Sequence, residues 1–285
     1  MVHSPKSAPS HVPLDLKEEV AAIFGNPGYR PPLLPKTATE VLELSRDPNA
    51  TMIRIARSLE TDPMLAAKVI SRVNSAAFRR GQAIRSLKEA LTRLGIAGLR
   101  DVVVEAALEL RVFRVPGFQD AMERLRVHST KVAEISRLVC RLTHVNSDFA
   151  FLCGLLHDIG MAGILLALTA EGPKRKFNLA ELWPVIHQSH AVASTVMARA
   201  WGFPPDLIQV LSDHHALDVD GHPHLQRAAL IVAEDVANRL GWGIQAGERV
   251  DEVRPEELVR AKALLSIDSA LAARIEQEVQ ASKSD

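Results

Sequence analysis

Cysteine is scarce in this chain: Cys140 and Cys153 are the only two. Two thiols cannot build a disulfide framework. Both lie in apolar helical contexts and read as buried structural thiols of a reducing compartment. Net charge is also missing. Lys and Arg total 34, as do Asp and Glu, so no global field draws the chain toward nucleic acid or anionic lipid. Neither direct nucleic-acid binding nor a membrane partner is expected. The opening "MVHSPKSAPSHVP" has no apolar run, so no signal peptide is expected there. The apolar stretch "MAGILLAL" is far too short to span a bilayer. A soluble cytoplasmic protein is the expectation. Repeats are absent. So is any convincing strand, because the β-branched run in "DVVVEAALELRVF" is offset by helix-favouring Ala, Leu and Glu.

What the chain does have is apolar content. It is 285 residues long and 47% hydrophobic, enough for one large domain or two modest ones with a substantial core. The pattern is helical almost throughout. A short helix "LDLKEEVAAIF" ends at "GNPGYRPPLLP", where glycines and prolines interrupt regular structure. Asn49 or Thr51 can cap the helix in "NATMIRIARSLETDP". Asp62 is placed as the next N-cap, with Pro63 at the first helical position. "SLKEALTRLGIAGLRDVVVEAALEL" reads as two helices broken near Gly95. The break "RVPGFQD" divides the chain. Residues 1–27 read as a disordered tail plus a short helix, and 28–115 as an N-terminal helical subdomain. A helical core follows over 116–241, then a helical extension over 242–285. Helices are expected over about 118–144, up to His157, after Gly160, and over 179–201, 205–215 and 223–240.

The polar residues that fit this pattern poorly are histidines of the second half. His157 and Asp158 end the apolar helix "FAFLCGLLHD" within the stretch "GLLHDIG". Such groups need partners, since an unpaired buried polar group costs roughly 1–3 kcal/mol. His128 lies on or beside the inward face of its helix, one turn before Val132. His190 opens "HAVASTVMARAW", and His214 and His215 follow "DLIQVLSD". Imidazoles and a carboxylate converging from several helices are what a di-metal site in a bundle requires. Two cations about 3.5–4 Å apart can hold a phosphoryl oxygen. Helix-end histidines satisfied by backbone carbonyls and water fit the same sequence, and spacing alone leaves both readings open.

Taken in order, the motifs resemble one family. "PPLLPKTATEVLELSRDPNATMIRIARSLETDPMLAAKVISRVNSAAF" is similar to the opening of an HDOD (HD-related output) domain. "IRSLKEALTRLGIAGLRDVVV", "VHSTKVA", "GLLHDIG", "HAVASTVMARAWGFPPDLIQVLSDHH" and "AALIVAEDVANRLG" continue the likeness over residues 28–241. The resemblance implies an all-α fold, an HD-domain-like helical bundle with an N-terminal helical subdomain. It also implies bacterial signal transduction as an output or adaptor module, related to HD and HD-GYP phosphohydrolases. Carried onto this chain, the HD metal ligands fall on His128, His157, Asp158, His190, His214 and His215, with Glu234 or its neighbour Asp235 last. The implied cofactor is one or two divalent transition metal ions: Fe, Mn, Zn or Ni. Were the site active, His157 and Asp158 would be its catalytic pair.

The chain also departs from that pattern. Met161 follows "HDIG" where HD-GYP enzymes carry lysine, and no "GYP" occurs. Arg124 stands one turn before His128, where some relatives add a glutamate. Arg124, Lys174 and Arg175 (with Lys176) could meet a phosphorylated ligand, or could be solvated surface charge. Asn74 and Ser75 read as a recognition surface or as a helix end bonding nearby backbone. Gly160 reads as the break that lets the next helix start. Two functions follow as expectations. One is a signalling module whose partner is a signalling protein or a nucleotide second messenger. The other is a metal-dependent phosphohydrolase, a phosphodiesterase acting on a nucleotide or cyclic dinucleotide.

Overall fold

The computed structural model describes residues 14–75, 82–146, 148–170, 178–244 and 253–281. Lys174, Arg175 and Lys176 lie outside them. The N-terminal helices are α1 (Leu14–Gly25), α2 (Lys36–Leu44), α3 (Met52–Glu60), α4 (Pro63–Val73) and α5 (Leu87–Arg111). Then come α6 (Gln119–Thr143), α7 (Ala150–Leu156), α8 (Ile159–Thr169), α9 (Leu179–Ala200), α10 (Pro205–Leu211) and α11 (Leu225–Arg239). The C-terminal pair is α12 (Pro255–Leu264) and α13 (Ser269–Ala281). A two-residue ribbon, β1 (Asp218–Val219) with β2 (His222–Pro223), is the only sheet among the described residues. Its tip is Asp220-Gly221, both at positive φ. This is the Asp-Gly hairpin turn that the helical reading passed over.

Local sequence explains most of the helix ends. Thr51, rather than Asn49, caps α3 by accepting the Arg54 amide at 3.3 Å. Asp62 accepts the Leu65 amide at 3.0 Å and Pro63 opens α4. Gly95 interrupts α5 with φ 68°, a conformation that strains residues with a Cβ. Asn74 closes the segment after α4. Its amide donates to the Ile84 carbonyl at 2.8 Å, and its oxygen accepts the Ile84 N–H at 2.7 Å. Ser75 donates to the Arg72 carbonyl at 2.7 Å. Both side chains are thus bound to nearby backbone.

Helices α2 to α5 pack on one another, while α7 packs on α6 and α11, and α8 on α9. The two groups meet where α5 touches α7, and one apolar core runs through both. A buried ion-pair network crosses the same seam. Arg72 on α4 donates to Glu105 on α5 at 2.7 Å and to Glu134 on α6 at 2.8 Å. The α1 helix lies against α9 and α8, and α12 and α13 cover α11 and α6.

Residues Ala150–Thr169 are apolar and long enough, by composition, to cross a membrane, but 89% of that window is buried within the fold. It forms the central α7–α8 pair, broken at His157-Asp158. Cys140 and Cys153 are free and buried. Burial pushes the Cys140 thiol up to about 12 and the Cys153 thiol up as well. Both are inert interior groups.

Candidate metal centre

Five helical elements deliver the site. His128 lies inside α6, His157 and Asp158 form the junction of α7 and α8, and His190 lies inside α9. His214 and His215 follow α10. His128, His157, Asp158 and His214 are fully buried, His190 is 2% exposed, and His215 is half-buried.

Each buried imidazole is oriented by a backbone carbonyl. The Nδ1 atoms of His128, His157, His190 and His214 donate to the carbonyls of Trp242 (2.9 Å), Gly154 (2.8 Å), His187 (2.7 Å) and Leu211 (3.2 Å). A carbonyl only accepts, so the proton sits on Nδ1 in all four rings. In the neutral ring each Nε2 then presents its lone pair, and these lone pairs converge. Nε2 of His128 lies 3.3 Å from that of His157. Nε2 of His190 lies 3.3 Å from that of His214 and 3.0 Å from that of His215.

Asp158 stands between the two sets. Its Oδ2 is 3.1 Å from His157 Nε2 and 3.6 Å from His128 Nε2. Its Oδ1 is 3.2 Å from His190 Nε2 and 3.4 Å from His214 Nε2. One carboxylate thus offers a different oxygen to each imidazole set. His128, His157 and Asp158 form one group with metal-binding geometry, and His190, His214 and His215 form another.

The electrostatics agree with the tautomers. Burial, with His157 nearby, lowers His128 to about 4, and burial lowers His214 to about 4. Burial and the neighbouring His214 also lower His215. These rings are neutral at pH 7. Burial works against the Asp158 charge, while positive charge on and hydrogen bonds from His157, then His214 and His190, hold the carboxyl well below the usual range; with the rings neutral, a bound cation would have to supply that positive charge. An ionised carboxylate ringed by inward lone pairs is a buried set of acceptors. A divalent cation satisfies such a set: imidazole suits Zn, Fe and Ni, and the carboxylate can bridge two ions.

The other sequence candidates separate. Glu234 is fully buried on α11, which packs on α6 and α7. Asp235 turns the other way and pairs with Arg239 at 3.0 Å and Lys262 at 3.9 Å. Of these neighbours Glu234 is the buried one, because adjacent helical residues point about 100° apart. Arg124 has a backbone partner outside the imidazole cluster. It donates to the Ile244 carbonyl at 3.0 Å, holding the same turn whose Trp242 carbonyl orients His128. Met161, 2% exposed, packs in the core.

Gly160 corrects a second expectation. It does not break the chain, for α8 already begins at Ile159. Its role is close approach. A Cβ there would strike the His190 carbonyl and lie 2.5 Å from the Ser194 amide nitrogen. Gly154 does the same against α6, where a Cβ would sit 2.6 Å from the Ala133 Cα. The two glycines of "GLLHDIG" let α7 and α8 approach the helices that carry His128 and His190. Ser194 was not singled out from the sequence, because nothing local distinguishes it among the small residues of α9.

The HDOD domain pattern matches residues 32–217. A protein of uncharacterised function from Treponema pallidum is 23% identical over 196 residues, 65% of this chain and 38% of that one. Ribonuclease Y of Thermoanaerobacter pseudethanolicus is 26% identical over 210 residues, 69% of this chain and 40% of that one. The chain thus spans about two fifths of the length of these curated relatives. Among solved structures, an HDOD domain protein of unknown function from Geobacter sulfurreducens superposes with a TM-score of 0.65 at 21% identity, covering 95% of this chain and 96% of that one. A Shewanella amazonensis protein, provisionally assigned as a metal-dependent phosphohydrolase, gives 0.69 at 18%, covering 94% and 98%. At these identities the likeness is one of fold. The family match spans most of the chain, and the chain belongs to the HDOD domain family.

Proposed function

We propose that this protein is a metal-bound signalling module of the HDOD family, an output or adaptor that recognises a signalling protein or a nucleotide second messenger. The observation that carries the metal is the shared carboxylate: Asp158 offers Oδ2 to the His128–His157 set and Oδ1 to the His190–His214 set. His128, His157 and Asp158 would hold one divalent ion, and His190, His214, His215 and Asp158 the second; Glu234, buried on α11, is the last ligand that the family resemblance implies. Fe, Mn, Zn and Ni all suit this donor set.

Two residues favour the adaptor reading over turnover. Met161 supplies no charge, and Arg124 is committed to a backbone carbonyl. Met161 thus offers a phosphate oxygen no cation, and the Nε–H of Arg124 is already engaged by backbone. A second reading, a metal-dependent phosphohydrolase acting on a nucleotide or cyclic dinucleotide, draws on the two-group geometry and on His215, the half-buried member of the donor set. A bound cation pair supplies Lewis acidity toward a phosphoryl oxygen. The chain's part is to fix the lone pairs through Nδ1 and to keep Asp158 ionised.

Elemental analysis of the purified protein, run beside a panel of cyclic dinucleotides, nucleotides and generic phosphodiesters, separates the readings. Bound metal with no turnover supports the module. Sustained hydrolysis that disappears in His157→Ala supports the enzyme. A metal-free protein that also gains no stability from added divalent ions would defeat both.

A further inference from the structure

Two of the five imidazoles lie inside helices and His157 is fixed at the junction of two, but His214 and His215 sit on the turn between α10 and β1. A turn holds its shape only if its backbone groups find partners. Here the partners come from beyond residues 32–217, the stretch that matches the family. Arg227, 3% exposed on α11, donates to the Gln209 carbonyl at 2.6 Å and the Ser212 hydroxyl at 3.0 Å. Its other arm donates to the Asp218 carbonyl at 2.6 Å and the Ala216 carbonyl at 3.3 Å. One planar guanidinium therefore spans the turn on both sides of His214-His215, which a lysine could not do.

The first turns of α12 add a second clamp. Buried Glu257 accepts the Leu217 amide at 2.9 Å. Arg260 bonds Glu257 at 3.0 Å and both Asp218 carboxylate oxygens at 2.8 Å. Arg254 donates to the His215 carbonyl at 3.2 Å.

We propose that Arg227, Glu257 and Arg260 are positioning residues for the His190, His214 and His215 group, so that α11 and the C-terminal extension together set the second cation position. The proposal rests on the reading that this group holds a cation. Groups that orient metal ligands typically change affinity about 10–100-fold when removed.

The test uses the full chain as wild type, Glu257→Ala, Glu257→Gln and Arg260→Ala. Zn2+ affinity is read by chelator competition, and histidine ring signals by NMR without added metal. In Glu257→Ala, one of two Zn2+ equivalents weakens about 10–100-fold. The His214 and His215 ring signals move while those of His128 and His157 stay. Glu257→Gln restores most of the affinity, because its carboxamide oxygen still accepts the Leu217 amide. Arg260→Ala, at a more exposed position and therefore safer for folding, gives a smaller change of the same kind. Unmoved His214 and His215 rings in folded variants, or equal movement of all rings, would overturn the proposal. A wild type that takes up no Zn2+ defeats the cation reading instead, and the ring signals still decide the brace.

Discussion

The Ser194 hydroxyl donates to the His157 carbonyl at 2.7 Å and accepts the Gly160 amide at 2.8 Å. One buried side chain on α9 thereby stitches both sides of the His157-Asp158 junction to the helix that carries His190. Ser194→Ala leaves a buried amide and a buried carbonyl short of a partner, at a cost of about 1–3 kcal/mol. The expected result is a lower denaturant midpoint in metal-free protein. Weaker metal binding follows, because the junction sets the Asp158 position. Equilibrium unfolding with and without added metal checks both.

Close approach predicts a sharp contrast between glycines. Gly154→Ala places a methyl 2.6–2.8 Å from Ala133 and Val132 backbone atoms that cannot move independently. It should destabilise by about 3 kcal/mol or more, at or beyond the upper end of ordinary overpacking. Gly25→Ala meets nothing within 4 Å and should be neutral or stabilising by up to about 1 kcal/mol. Thermal unfolding of the two variants side by side reads the difference.

Acid should weaken the fold and the metal site together. His128 and His214 fall from 6.5 to about 4 on folding. Between those values the unfolded chain binds protons that the native chain does not. Stability therefore rises with pH across this window, is lost as pH falls from about 6.5 to 4, and levels off below it. Protons and cations compete for the same Nε2 lone pairs, so metal release follows the same window. Unfolding midpoints and bound metal measured from pH 7.5 to 4 test this, and a flat profile would contradict it.

Asp158→Asn keeps the shape of the shared side chain and removes its charge. Because the two oxygens face different imidazole sets, metal content should fall at both positions. His215→Ala should reduce only one. Elemental analysis of the two variants distinguishes a bridging carboxylate from one that serves a single group.

The neighbours Glu234 and Asp235 should behave oppositely. Asp235 belongs to a partly exposed ion pair with Arg239, so Asp235→Asn should cost no more than about 1 kcal/mol and leave metal content intact. Glu234→Gln alters a fully buried carboxylate on the helix packed against α6 and α7 and should lower metal content. Metal loss in the Asp235 variant alone would reverse the assignment.

Helix type and many ends were legible from the sequence, because caps, prolines and apolar periodicity act over a few residues. Asp62 and Gly95 declared themselves in this way, and Thr51 did so as one of two candidate caps. The ordered histidine motifs carried the family. Their convergence was not legible, since no local signal reports which Nε2 atoms meet across four separate segments of chain. Asp235 and Glu234 have the same chemistry and differ only in which way α11 faces. Gly160 showed a glycine's freedom in the sequence, whereas its use, letting α8 lie against the His190 carbonyl, exists only once α9 is in place. Ser194, Arg227 and Glu257 had no signature at all, because hydrogen bonds to distant backbone follow no sequence spacing. Local chemistry determined the helices and the inventory of donors. Packing alone decided which donors share a site and what holds them there.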